Sequence, residues 1–550
     1  MSDRAPAQLR AGPLTAVLDG ADLRWVRWDG VEVVRRLGFA ARGPSWSTIP
    51  ATARDVVLEE RPAGFDVRVT ARHAGAGLDL SWTGTIGATD SGSLIYSVTW
   101  TAHEPFAYNR IGLVVLLAPA AVTGRAYRLV GPEGTVRGRF PTAVAPQPFT
   151  AGHYAGMAPP LTALSFDLAP GEVQLAFEGE RFELEDQRNW ADDSFKAYGT
   201  PLSVPLPQHA EPSAPVGQAV TLRVAALPRR ARRTAPARPP RLRVGGRDGT
   251  VGDLGLPVAP TAGAAGAAGA AFLRADADAA APGWRAEVEA FLALCDAADR
   301  DGELGLLRPT AAAVGELLAA AHPRLARIVA AGATGEPTDP ACCADPALAA
   351  GDRPARPALF GGTHRWFAEL HRWHPAAGGF DGLGYVASPQ VHDRDTPSIA
   401  ENVAGLRATI RAAGALYPDR PIAVRLHLDE RAPDPRLATA WGGAWLAAAL
   451  AELLAGGAAH VTALHAGELA GAADAQAAFA HLAALPGLPR LQRTDPPAGV
   501  GALAYERDGG PALLLANAGA RDAELTVAGP DGHERLVSVA AGSWAEHALS

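Results

Sequence analysis

Near residue 240 the hydrophobic pattern of this chain changes its period, and the two periods demand different folds. From about residue 14 to 227, apolar and polar residues alternate in short runs broken by Gly, Pro and Asp, as in Leu23-Arg-Trp-Val-Arg-Trp, Phe65-Asp-Val-Arg-Val-Thr, Leu94-Ile-Tyr-Ser-Val-Thr-Trp and Val173-Gln-Leu-Ala-Phe-Glu. A period of two over many short runs belongs to strands with one buried face, and predicts an antiparallel β-sandwich. Beyond the change, apolar strand-like runs recur at residues 241–246, 272–276, 303–308, 326–331, 358–363, 383–388, 422–428 and 460–466. Helical patterns fill most of the intervals, at 284–300, 310–322, 365–373, 398–417, 437–459 and 472–485. Eight strands alternating with helices predict a (β/α)8 TIM barrel. Two intervals, 260–271 and 332–357, show no helical pattern. Alternation returns after residue 494, at 501–507, 512–515, 523–527 and 534–539.

The expected organisation is therefore multidomain: an N-terminal antiparallel β-sandwich over residues 1–238, a central TIM barrel over 239–493 and a small C-terminal β-sandwich domain over 494–550. The Pro/Arg-rich stretch 227–240 reads as the linker between the first two. A chain of 550 residues needs such a division, because single cores stop growing near ~250–300 residues.

Composition narrows the partners. A hydrophobic share of 48% and a charged share of 20% are those of a globular protein. No run reaches ~18 consecutive uncharged apolar residues, and the N-terminus has no leader-type apolar core, so the expectation is a soluble, cytoplasmic protein with no membrane partner. A net charge of −8 argues against nucleic acid; the basic run at 229–233 lies among Pro and Ala, as a solvated linker does. Cys295, Cys342 and Cys343 are odd in number and lack zinc-type spacing, so neither a disulfide framework nor a structural metal site is supported. Arg has replaced Lys everywhere except Lys196, and Asn occurs only at positions 109, 189, 402 and 517. A residue type kept once, where a substitute serves elsewhere, is a candidate for chemistry that the substitute cannot perform.

Barrel enzymes gather their reactive groups at the C-terminal ends of the strands. That rule selects Asp276, Asp278, Arg308, Thr363, Gln390, His392, Asp395, His427, Asp429, Glu430, His465 and Glu468. His392 stands out, because it follows the sharp Ser388-Pro-Gln-Val turn and has Asp393 and Asp395 close behind it; a neighbouring carboxylate fixes an imidazole's tautomer and raises its basicity. Gly361 and Gly362 offer room for close backbone approach to a ligand. The densest polar cluster lies outside the barrel. After Leu184 come Glu185, Asp186, Arg188, Asn189, Trp190, Asp193, Lys196 and Tyr198, charges interleaved with aromatic rings, which suits a sugar site: rings pack on C–H faces while carboxylates, amides and cations hold oxygens.

The stretch Glu185-Asp-Gln-Arg-Asn-Trp-Ala-Asp-Asp-Ser-Phe-Lys-Ala-Tyr resembles the signature of the D-apionate lactonases of apiose catabolism. Similarity extends to Tyr108-Asn-Arg-Ile-Gly, Gly138-Arg-Phe-Pro, Gln147-Pro-Phe-Thr, Gly361-Gly-Thr, Phe367-Ala-Glu-Leu and Pro389-Gln-Val-His, in order, over roughly residues 100–470. The resemblance implies the same three-part architecture, a small-molecule carbohydrate lactone as substrate, and its hydrolysis to the open acid without metal or organic cofactor. The chain departs from the family pattern at the last barrel strand, where Val461-Thr-Ala-Leu-His465-Ala-Gly-Glu468 replaces an aromatic pair with a glutamate.

Lactone hydrolysis needs a base for water and a donor for the oxyanion. The residue types assign the base to His392 oriented by Asp395, or to Glu185 or Asp186, and the oxyanion donor to Lys196 or Arg188. Asn189, Gln390 and Asp193 would hold ring hydroxyls, with Trp190 as packing face, and Tyr198 and His465 complete the substrate-binding set. Two other readings stay open: a glycoside hydrolase with paired carboxylates drawn from Asp276, Asp278, Asp429 and Glu430, and a sugar-acid-binding relative without turnover.

Overall fold

The structure is a computed structural model and describes residues 5–150, 153–169, 171–226, 239–259, 269–332, 356–374, 379–428, 433–465, 467–507 and 509–549. Cys342, Cys343, Asp429, Glu430, the basic run and most of the two helix-free intervals lie outside these residues. By their contacts, the residues form two compact units: Met1–Gln187 with Ser194–Ala235, and Arg188–Asp193 with Pro236–Ser550.

The N-terminal unit is a sandwich of a seven-stranded and a nine-stranded sheet. The alternation read in the sequence is its burial pattern: in Leu78–Thr89 the buried positions fall on every second residue. Leu23, Val34, Leu113 and Phe195 of one sheet and Val67, Leu80, Tyr96, Leu175 and Leu222 of the other form a single apolar core. The seven-stranded sheet ends at a short antiparallel pair, Glu183–Asp186 with Phe195–Tyr198, in which Glu185 stands opposite Lys196.

The barrel closes with eight parallel strands, numbered here β1 (Asp253–Pro257), β2 (Phe272–Asp278), β3 (Asp301–Leu307), β4 (Leu325–Ala331), β5 (Ala358–Trp366), β6 (Gly382–Ala387), β7 (Ile422–Leu426) and β8 (His460–Ala463). Seven of the expected runs coincide with barrel strands; the first is a strand of another sheet. Arg241–Thr250 belongs to a seven-stranded C-terminal sheet, pairing antiparallel with Pro489–Arg493 and parallel with Ala523–Ala528. The physical distinction was in the residues. Arg241, Leu242, Arg243 and Val244 alternate between exposed and buried, as in a one-sided sheet, whereas β6 is buried at all six positions, as parallel barrel strands are. The true β1 is Asp-Leu-Gly-Leu-Pro, too short and interrupted to give an apolar run.

Helix Ala440–Gly456 is apolar around its circumference because it packs on the helices flanking it and on the C-terminal sheet; a Cβ at Gly501 would fall 2.4 Å from the carbonyl oxygen of Ala448. Its one acid, Glu452, is buried and paired with Arg493. The helical pattern expected over 398–417 is interrupted at Asn402, giving Thr396–Glu401 and Val403–Leu416. Among the described residues, no helix is long and apolar enough to cross a membrane.

Inside the barrel, Glu303 of β3 accepts from Arg274 of β2 at 2.7 Å and from Arg327 of β4 at 3.0 Å. Asp276 is held between Arg274 and Arg425 of β7. Burial opposes the Asp276 charge, but the two guanidiniums outweigh it and hold its pKa far below the usual carboxylate range. Gly305 makes room, since a Cβ there would lie 2.0 Å from the Asp276 carboxylate. These buried ions compensate one another, which is the condition for burying them at all.

Candidate functional site

Within the barrel unit, segment Arg188–Asp193 packs against the residues that follow β6. Ala191 takes a left-handed φ of 63°, which turns the chain between Trp190 and Asp192. A Cβ at Gly405 would lie 2.3 Å from the Ala191 carbonyl, so glycine in helix Val403–Leu416 permits this close approach. Asp192, only 4% exposed, is thereby placed between His392 and Asn402. One of its oxygens contacts His392 Nδ1 and the other accepts from Asn402 Nδ2 at 2.8 Å. Asn402 also donates to the Pro389 carbonyl at 3.0 Å and accepts from the Asp193 amide at 3.0 Å, so a single amide locks the segment to the β6 turn.

Around this pair, Trp190 meets the His392 ring edge-on at 5.8 Å and carries the Arg372 guanidinium at 5.2 Å. Asn189 Oδ1 accepts from His371 Nδ1 at 2.8 Å; burial pushes the His371 pKa down to about 4 and keeps that ring neutral. Arg188 is buried in the same segment. Beside it runs a second chain of contacts. Gln390 Nε2 donates to Asp434 at 2.9 Å, and Glu468 accepts from the Asp434 amide at 3.2 Å and from the His465 amide at 2.8 Å. His465 Nε2 in turn lies 2.8 Å from Nδ1 of His427. Burial, reinforced by Arg425 and His465, drives the His427 pKa well below its ordinary value. Glu468 thus folds back as a brace for the loop after β8; burial raises its pKa.

Several sequence assignments move. Asp395 caps helix Thr396–Glu401, accepting from Ser398 N and Oγ at 2.9 Å each, and the carboxylate on His392 Nδ1 is Asp192, which the sequence reading passed over for its neighbour Asp193. Gly361 and Gly362 face protein, not a ligand: added Cβ atoms would strike the Phe380 ring at 2.8 Å and the Gly384 carbonyl at 1.9 Å. The remaining assignments fall in the N-terminal unit. There Glu185 contacts Arg110, lies 3.6 Å from Lys196 and accepts from Gln187 at 2.9 Å. Burial works against its charge, but Lys196 and Arg110 prevail and hold its pKa down at about 2, too low for a base near neutrality. Asp186 is buried in the same strand. Tyr198 is 2% exposed and its hydroxyl is engaged by the Ala40 and Arg110 carbonyls at 3.0 and 3.1 Å, which makes it a packing group and not a substrate contact. Glu183, absent from the sequence reading, is the unusual carboxyl of this unit: burial, then the neighbouring Glu185, push its pKa up to about 7.

Asn402 is the other residue the sequence reading missed, though the scarcity of asparagine pointed to it. Asn189 and Asn402 both bind within the barrel-unit cluster, while Asn109 and Asn517 serve backbone carbonyls elsewhere. Among the described residues, no group of three or more His, Cys, Asp or Glu is arranged to hold a metal ion.

Comparison with known proteins extends over most of the chain. Family models for the D-apionate lactonase N-terminal domain and the D-apionate lactonase TIM barrel domain match residues 1–227 and 258–427. A D-apionate lactonase of Brucella anthropi is 28% identical over 455 residues, covering 76% of this chain and 72% of that protein. Among solved structures, a β-arabinopyranosidase aligns over 98% of both chains at 12% identity and a TM-score of 0.33. A GH30 endoxylanase from Clostridium papyrosolvens aligns over 56% of this chain and 98% of its own at 11% identity and a TM-score of 0.37.

Proposed function

The chain belongs to the D-apionate lactonase family, and from that premise we propose that it hydrolyses a sugar-acid lactone of the D-apionolactone kind to the free acid, with His392 as general base. The observation that carries the reading is the buried Asp192 carboxylate, fixed by Asn402 and set on His392 Nδ1.

A carboxylate on Nδ1 selects the tautomer with its proton on that nitrogen, leaving the lone pair on Nε2. Water attacks the lactone carbonyl carbon as Nε2 takes one of its protons, and the carbonyl oxygen becomes an oxyanion. Asp192 stabilises the imidazolium formed in that step. Arg188, the buried cation of the same segment, supplies the oxyanion's charge partner. Collapse of the tetrahedral intermediate breaks the ring C–O bond, and the imidazolium returns its proton to the leaving alkoxide. The product acid then ionises, releasing one proton per turnover. Trp190 offers the face for sugar C–H groups. Of the carboxyls named for a glycosidase, Asp276 is held ionised between two arginines and Asp278 is paired with Arg308, so neither is placed to protonate a leaving group.

The test is acid release in a pH-stat from a panel of apiono-, pentono- and hexono-lactones. At least one is expected to open far faster than in buffer; if none does, the lactonase reading fails.

A further inference from the structure

Gln390 lies three residues past the end of β6, and both its backbone amide and its side-chain amide nitrogen are committed. Its backbone amide donates to Ser388 Oγ at 3.2 Å, while the Ser388 hydroxyl donates to the Leu428 carbonyl beyond β7 at 3.3 Å. The adjoining Pro389 carbonyl is taken by Asn402, the residue that also holds Asp192. The main chain at Gln390 is thus tied to the element that positions His392.

The side chain is fixed in direction as well as place. Asp434, 9% exposed, receives Arg436 Nε at 3.0 Å, Arg436 Nη2 at 2.6 Å and the Arg436 amide at 2.9 Å, which keeps it an ionised, acceptor-only group. Gln390 Nε2 donates to this carboxylate at 2.9 Å. Flipping the amide would set its oxygen against a carboxylate, so Oε1 must point away from Asp434. Gln390 is 6% exposed, and Oε1 is buried with no hydrogen-bond partner among the described residues. A buried acceptor without a donor is costly, and one whose orientation is enforced by a carboxylate–arginine pair is suited to a donor that arrives with the ligand.

Resting on the lactonase reading above, we propose that Gln390 Oε1 is a specificity-determining acceptor for one hydroxyl of the sugar lactone, oriented by Asp434 and Arg436. The chemistry excludes the other polar end of the ligand. An amide oxygen accepts only, so it takes an O–H and repels the carboxylate of the product; it reads the polyol side while His392 serves the acyl side. A site that hydrogen-bonds a substrate hydroxyl discriminates strongly against the analogue lacking it.

The experiment compares lactones that each lack a single hydroxyl, on the parent protein and on Gln390→Met, which keeps the side chain's length and removes the acceptor. On the parent, one deoxy-lactone should lose roughly 10–100-fold in kcat/KM relative to the full lactone. On Gln390→Met, that same deoxy-lactone and the full lactone should react within about three-fold of each other, the others being discriminated as before. Asp434→Asn, which frees the amide to flip, should shrink the same discrimination while circular dichroism stays that of the parent. Equal losses on every lactone in Gln390→Met, or a parent indifferent to all single deletions, would overturn the proposal. Should the parent open no lactone, the function reading has failed, and the same pattern is sought in calorimetric Kd values for the sugar acids and their deoxy forms. Discrimination that disappears in Gln390→Met would then sustain the acceptor, and its persistence would sink it.

Discussion

Residues 185–198 supply side chains to two buried clusters, one in each unit, and the clusters use charge differently. In the N-terminal unit, Glu185 is held by Arg110 and Lys196 and stays ionised over the whole range in which an enzyme works. In the barrel unit, Asp192 is set instead between an imidazole and a neutral amide. A carboxylate satisfied by permanent cations has nothing left to exchange; one set on an imidazole nitrogen fixes that ring's tautomer. On the proposed function the first cluster is architecture and the second carries the chemistry, although the sequence presents both in one motif.

The largest effect should come from the barrel cluster. His392→Asn removes the base while keeping a polar side chain, and should lower kcat by about 10²–10⁴-fold with little change in the circular dichroism spectrum. Asp192→Asn keeps the shape but favours the wrong imidazole tautomer, and a loss of similar order is expected. Both are measured as initial rates of acid release under saturating lactone. Activity within ten-fold of the parent in both variants would move the base elsewhere and break the comparison.

How much of this was legible in the residues depends on whether the pattern was local. Alternation gave the sandwich, and seven barrel strands were visible because β-strands of a closed barrel are continuous apolar runs. β1 was hidden by its brevity, and the run at 241–246 was one-sided alternation, which marks an open sheet. The Asp395 role was also legible: Asp395-Thr-Pro-Ser is a helix start, with an N-cap acid, proline in the first turn and the Ser398 amide as its partner. Asp192 was not legible, because which acid of an Asp-Asp doublet faces inward depends on the left-handed turn at Ala191, and alanine gives no warning of one. Asn402 stood in view as one of four asparagines, but only the folded chain shows that it joins segments some 200 residues apart.

An intermediate effect separates the two carboxyls of the N-terminal cluster. The folded pKa of Glu183 is raised from 4.5 to about 7, so the folded state binds its proton more tightly than the unfolded chain does. The stability this contributes is full below about pH 4.5 and is lost as pH rises through about 7. Glu185, depressed to about 2, is ionised throughout that window and adds no slope there. Glu183→Gln removes the titrating group, so the melting temperature of the variant relative to the parent should rise by a few degrees between pH 5 and pH 8. Parallel profiles for the two proteins would show that Glu183 does not titrate in this range.

The smallest effect is expected at the one lysine, and it bears most directly on the comparison. Were Lys196 the oxyanion donor, its compact ammonium would be hard to replace, and arginine's wider planar fork would displace the charge and lower kcat by roughly 10²–10³-fold. The structure gives the ammonium a different occupation: it stands opposite Glu185 in the strand pair, 3.6 Å from that carboxylate and 5.6 Å from the centre of the Tyr198 ring. Arginine can fill both relations, since it pairs with carboxylates and packs on aromatic faces. Lys196→Arg should therefore turn over lactone within about three-fold of the parent per folded molecule, with any cost appearing as a lower melting temperature from accommodating a bulkier buried group. Rates are compared after correcting for the folded fraction. A loss of a hundred-fold in kcat with an unchanged melting temperature would return Lys196 to the chemistry and leave the two clusters without the division of labour drawn between them.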